Sequence, residues 1–244
     1  MKTQLTHVIY TDIGDREVNE DSVGVFEKED KHCYVLCDGL GGHGMGDVAS
    51  SMTVSIFKDL FEKSNEMVNF LGKAFMASQE ILMAEQTARN ARQKMKTTSV
   101  VLATDAKKAY IGHIGDSRLY VFAGNQVKKR TLDHSIPQML VLSHELEESQ
   151  IRNHPDRNTL LRVLGVEWDK PMYELMSPIP LRKCQAFLLC SDGFWELIDE
   201  SDMCAMLKKA SSVGEWMDMM TMKVKMNGMG KNMDNHSAIA IWNQ

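Results

Sequence analysis

A chain of 244 residues with 43% hydrophobic side chains has enough apolar mass to bury a core of its own, and its size suits one domain spanning residues 1–244. Its 28 basic residues are outnumbered by 33 acidic ones, for a formal net charge of −5. The longest basic cluster, Lys128, Lys129 and Arg130, reads as a solvated strand end, so nothing carries the electrostatic footprint of a nucleic-acid binder.

The first six residues are polar and form no apolar leader, and no stretch is long enough to span a bilayer, so no membrane partner is expected. Strands are predicted over 7–11, 22–27 and 33–37, with a charged turn at 28–31 between the last two. Cys33 and Cys37, four apart on one strand, face the same side and suit packing better than metal binding. With Cys184, Cys190 and Cys204 they make an odd number in apolar surroundings, which fits reduced thiols and a cytoplasmic setting. Two amphipathic helical patterns follow, one through Ala49, Met52, Ile56 and Leu60, the other from Met67 to Glu85. Strands return over 99–104, 109–114, 119–122 and 126–131, punctuated by turn signals at Gly115-Asp116 and Gly124-Asn125.

Residues 133–158 are polar and read as an exposed excursion with short helical pieces. Strands are expected again over 172–176 and 186–190, helices over 201–210 and 213–226, and a closing strand over 237–242. Runs of strands punctuated by helix pairs, without βαβ alternation, indicate an α+β fold with antiparallel sheets. The 19 methionines crowd between Met217 and Met233 at helical spacing, which favours adaptable core filling over a Met-rich docking groove.

Four aspartates sit at the ends of apolar runs beside small or turn residues: Asp38, Asp116, Asp192 and Asp234. Carboxylates on rigid strand tips can converge on one point, and such a cluster is stable when hard cations such as Mg²⁺ or Mn²⁺ occupy it. Glycine at position 39 would let its carbonyl approach an ion. Upstream, Glu20 and Asp21 add two carboxylates, and Arg16 supplies a planar fork suited to a phosphate. The run from Gly39 to Gly44 satisfies G-x-G-x-x-G, but helical patterns occupy the place of the second strand that a dinucleotide turn requires, and Asp38 would repel a pyrophosphate.

In order and spacing these residues resemble the metal-dependent Ser/Thr phosphatases of the type 2C (PPM) family, bacterial branch. The shared stretches are Thr11-Asp12-Ile13-Gly14 with Arg16 and Asn19-Glu20-Asp21; Asp38-Gly39-Leu40-Gly41-Gly42-His43; Thr97-Thr98; Gly115-Asp116-Ser117-Arg118; Asp133-His134-Ser135; His154-Pro155 with Arg157-Asn158 and Leu164-Gly165; Ser191-Asp192-Gly193; and Asp234-Asn235. Two departures stand out: the gap between Gly14 and Arg16 is one residue short, and Lys96 stands where a glycine usually precedes the threonine pair.

The resemblance implies a four-layer αββα sandwich of two antiparallel sheets flanked by helix pairs. It implies two Mn²⁺ or Mg²⁺ ions: Asp38 bridges both, Asp192 and Asp234 hold the first, and the Gly39 carbonyl and Glu20 serve the second. Asp21 would be a ligand or the partner that steadies one, and Asp116 with Asp192 would hold a third, weaker ion. Arg16 matches the arginine that clamps substrate phosphate, and residues 133–158 match a flap beside the active site. His43 is a candidate proton donor to the leaving group, with orientation of the glycine loop as its alternative. The function implied is hydrolysis of phosphoserine and phosphothreonine on proteins, reversing a Ser/Thr kinase, by a chain expected to be monomeric. A phosphatase of small phosphoesters and a non-catalytic phosphoprotein-binding module are the alternatives.

Overall fold

The computed structural model of the protein describes residues 5–41 and 44–243. One antiparallel sheet is built from β1 (Leu5–Asp12), β6 (Arg118–Ala123), β7 (Gln126–Arg130), β10 (Ala186–Cys190) and β11 (His236–Asn243), in the order β1-β11-β10-β6-β7. The other comprises β2 (Asp21–Lys28), β3 (Lys31–Asp38), β4 (Ser99–Thr104), β5 (Lys108–Ile114) and the short β8 (Glu174–Leu175), in that order, with β9 (Ile179–Pro180) also pairing with β5. The tight turns follow their residues: Gly124 and Asn125, both at positive φ, close the β6–β7 hairpin in the conformation that matches strand twist.

Side-chain parity assigns each strand face to a layer. On β3, Cys33, Val35 and Cys37 point outward onto α1 (Gly46–Lys63) and α2 (Phe70–Ala88), where Phe57, Phe61, Phe70 and Phe75 pack against them. Tyr34 and Leu36 point inward, meeting Leu119, Phe187, Leu189 and Ile239 of the facing sheet. Beyond that sheet, Tyr120, Phe122, Leu188 and Ala240 cover α5 (Glu200–Lys209) and α6 (Val213–Gly228) through Met203, Trp216, Met217 and Met220. Helix pairs thus flank two sheets in the expected four layers. Strands buried on both faces read as unbroken apolar runs instead of alternating ones, because neither side meets water.

Several boundaries differ from the sequence reading. The second helix begins at Phe70, not Met67, and the strand expected over 172–176 shrinks to Glu174–Leu175. Residues 133–158 are not uniformly exposed. They contain α3 (Ile136–Leu142) and a 3-10 turn at Glu148–Asn153, and while the tip around 142–150 faces water, Asp133, His134, Ser135, Gln138 and Ile151 are buried. Met217 and Met220 fill the core as expected, whereas Met222, Met226 and Met229 lie exposed. No helix among the described residues is long and apolar enough to cross a membrane.

Leu189, fully buried between the sheets, should cost about 2–5 kcal/mol when cut to alanine. Met226→Ala on the exposed stripe should stay within about 0.5 kcal/mol. Urea unfolding midpoints at constant m-value check both, and equal losses would refute the layer assignment.

Candidate metal centre

One end of the sandwich gathers the C-terminal tips of β3, β5 and β10 and the N-terminal entries to β2 and β11. Asp38 ends β3 directly opposite Asp21, the first residue of β2. Asp116 follows β5, Asp192 opens the four-residue helix α4 (Asp192–Trp195) just past β10, and Asp234 lies two residues before β11. The side chains and backbone of Arg16, Glu20, Asp38, Gly39, Asp116, Asp192 and Asp234 line one cavity of about 480 Å³, so positions far apart along the chain meet in space. Asp21 lies behind that wall, its Oδ2 accepting a hydrogen bond from Ser191 (2.8 Å) while its Oδ1 is buried without a partner. Gly42 and His43 lie outside the described residues.

Local hydrogen bonds fix each tip. The Asp38 backbone accepts from Thr98 N–H and Thr97 Oγ1 (both 2.8 Å), and its own N–H meets Thr98 Oγ1 at 3.0 Å, which explains the paired threonines. The loop carrying Arg16 is laced to the Asp234 loop: Asp15 N–H donates to the Met233 carbonyl (3.0 Å), and the Asn235 amide donates to Ile13 (2.8 Å) and Val18 (3.0 Å) carbonyls. Glycine at 39 has a reason beyond access for an ion: a Cβ there would collide with the Gly46 carbonyl at the entry to α1. Gly41 similarly leaves room for the Glu20 carboxylate.

The electrostatics are those of crowded acids. Burial, then the charges of Asp21, Asp192 and Asp116, hold the Asp38 carboxyl well above its usual range. Burial and Asp192 do the same to Asp116, and burial and Asp234 raise Asp192. Burial pushes Asp21 up to about 7 against the opposing pull of the Ser237 and Ser191 hydrogen bonds. Glu20 is raised by burial and by Asp47. One carboxylate has a fixed counter-charge: Arg16 donates from Nε (2.9 Å) and Nη2 (2.8 Å) to the two oxygens of Asp234. A candidate ligand set made only of oxygens, an orphaned Asp21 oxygen and mutually destabilised carboxylates fit hard divalent cations, whose arrival would relieve the repulsion.

A histidine cluster that the sequence reading left unremarked lies nearby. Among the described residues, the trio with ligand atoms all within 4.8 Å of one another is His113, His134 and Glu174, not the aspartates, which are spread round the cavity. Its proton pattern argues against a cation. His113 Nε2 donates to the Leu132 carbonyl (2.7 Å), leaving Nδ1 bare, but His134 Nδ1 accepts from Gly115 N–H (3.2 Å), so its Nε2 carries the ring proton and cannot ligate without losing it. The trio's signal in the sequence, two histidines flanking Gly115-Asp116 and Asp133, is faint without knowledge of the fold.

The family model for protein phosphatase 2C matches residues 10–233. The serine/threonine phosphatase stp of Listeria welshimeri is 32% identical over 220 residues, which is 87% of this chain and 86% of the relative. The crystal structure of the serine/threonine phosphatase Stp1 from Staphylococcus aureus superposes with a TM-score of 0.90 at 28% identity, covering 100% of this chain and 97% of that one. The catalytic domain of the phosphatase PstP, solved with 2 manganese ions, superposes with a TM-score of 0.80 at 22% identity over 99% of both chains, a likeness of fold. The chain belongs to the protein phosphatase 2C family.

Proposed function

We propose that this chain removes phosphate from serine and threonine side chains of proteins, using water activated by divalent cations held in the acidic cavity. The observation that carries the reading is the convergence of Glu20, Asp38, Asp116, Asp192 and Asp234 with Arg16 on one wall. Likeness to named Ser/Thr phosphatases across most of the chain's length supports the substrate class.

Asp38 would bridge two ions, Asp192 and Asp234 would complete the first site, and the Gly39 carbonyl and Glu20 would serve the second. Asp116 with Asp192 would hold a third, and Asp21, held by Ser191 behind the wall, would be a ligand or a partner that steadies one. When bound, Mn²⁺ or Mg²⁺ would bring the pKa of a coordinated water toward neutrality and offset charge on the phosphoryl oxygens.

Arg16 contributes through its geometry. Its Nε/Nη2 edge is spent on Asp234, whereas the Nη1/Nη2 edge keeps its end-on donors for two phosphate oxygens. One guanidinium can therefore hold a ligand carboxylate and orient the phosphoryl group together. His43 is our candidate donor to the departing alkoxide. Asn158 reaches the cavity wall, which supports residues 133–158 as a flap over the site within one catalytic domain. A monomer in the cytoplasm, acting on the products of a Ser/Thr kinase, completes the reading, supported by the acidic net charge and the five free thiols.

Asp192→Asn should lower Mn²⁺-dependent hydrolysis of a phosphothreonine peptide by at least about a hundredfold, with circular dichroism unchanged. Near-normal turnover would contradict the assignment, and faster hydrolysis of nucleotides than of phosphopeptides would move the substrate class to small phosphoesters. Arg16→Ala should reduce kcat/KM about 10- to 100-fold for peptide and small phosphoesters alike, as loss of a charge-assisted pair predicts. Unchanged kinetics on both would remove Arg16 from its role.

A further inference from the structure

Both limbs of the 133–158 segment lead to one residue, Trp195, the first through Arg118 and the second through Arg152. At its start, Asp133 accepts from Arg118 Nε (2.9 Å) and Nη2 (2.7 Å), and that guanidinium lies 3.4 Å from the centre of the Trp195 ring. Toward its end, Arg152 donates to the Trp195 carbonyl (3.2 Å) and to Glu200 (2.9 Å), with its guanidinium 5.6 Å from the same ring.

Trp195 is 2% exposed and stands one helical turn after Asp192, in α4. Its indole N–H donates to the backbone carbonyl of Asp116 at 3.0 Å. Asp116 follows Gly115, whose φ of 100° marks a turn, and the next residue is held by the Ser117–Thr98 hydroxyl pair (2.8 Å). One buried tryptophan thus joins the backbone of two cavity carboxylates while carrying the docked ends of the neighbouring segment. A hydrogen bond shielded from water resists exchange with solvent, so its direction constrains where the Asp116 carboxylate can stand relative to Asp192.

We propose that Trp195 is a positioning residue: its indole N–H sets the spacing of Asp116 and Asp192, and with it the affinity of the cation those carboxylates share. This rests on the reading above that the pair binds a cation. Mere core packing would tie Trp195 to overall stability, whereas positioning ties it to one cation site.

The test is calorimetric titration of Mn²⁺ into wild-type protein, Asp116→Asn, Trp195→Phe, and protein carrying benzothienylalanine at 195, which keeps the bicyclic ring and replaces N–H by sulfur. Asp116→Asn defines the dependent site by removing it. Both position-195 variants should weaken that same site about three- to tenfold, as loss of one buried hydrogen bond predicts, and leave the tighter sites unchanged; the isosteric variant keeps the ring packing, so its thermal midpoint should fall by only about 2–4 °C. Should Trp195→Phe fold poorly, the isosteric variant carries the comparison. An unchanged isotherm for Asp116→Asn overturns the cation assignment and the proposal together. Loss of the site in Asp116→Asn with wild-type affinity in the position-195 variants overturns the proposal alone.

Discussion

Like charges brought together out of water are the constraint that organises this protein. Two full charges 4 Å apart repel by about 4 kcal/mol at an effective dielectric near 20, and desolvation adds to that cost. The cavity wall carries six acidic residues, Glu17 among them, with Asp21 behind it, and Arg16 answers one of them, Asp234. The others have two ways to coexist: take up protons, toward which burial and mutual repulsion push Asp21, Asp38, Asp116 and Asp192, or bind cations. A fold that keeps such a cluster intact stores a preference for divalent ions.

The sandwich supplies the rigidity. Asp38, Asp116, Asp192 and Asp234 stand at the ends of strands whose two faces are buried in different cores, so those tips cannot drift apart without disturbing layers packed on both sides. Short polar side chains then trim the positions: Thr97 and Thr98 under Asp38, Ser191 against Asp21, Asn235 across the Arg16 loop. The loop lacing matters as much as the strands, because it delivers Arg16 to Asp234 with one guanidinium edge still open.

Much of this was legible in the sequence. Apolar runs ending in Asp38, Asp116 and Asp192 marked strand tips, and hydrophobic residues recurring three to four apart located both helix pairs to within a few residues. Which strand face met helix and which met sheet was not legible, because a run such as Tyr34-Val35-Leu36-Cys37 is apolar on both sides. The helix α4 escaped notice because Ser191-Asp192-Gly193 reads as a turn, and its four residues are too few for a period. The Glu174 and Ile179 strands are two residues each, held by β5 instead of by propensity. The buried base of the 133–158 segment was hidden for another reason: Arg118, Asp133 and Arg152 look solvated until Trp195 and Glu200 pair with them. Gly39, singled out in the sequence for its carbonyl, does line the cavity, though crowding by Gly46 is reason enough for its lack of a side chain.

The most direct test of the central claim is to count protons as the metal binds. A carboxyl whose pKa is raised to about 7 by burial keeps its proton near neutrality, so a cation must expel it; affinity then climbs as pH rises through that value. Calorimetric titration of Mn²⁺ between pH 6 and 8, in buffers of different ionisation enthalpy, should show net proton release on binding and tighter binding at the higher pH. Binding with no proton release and no pH dependence, or no binding at all, would contradict the account.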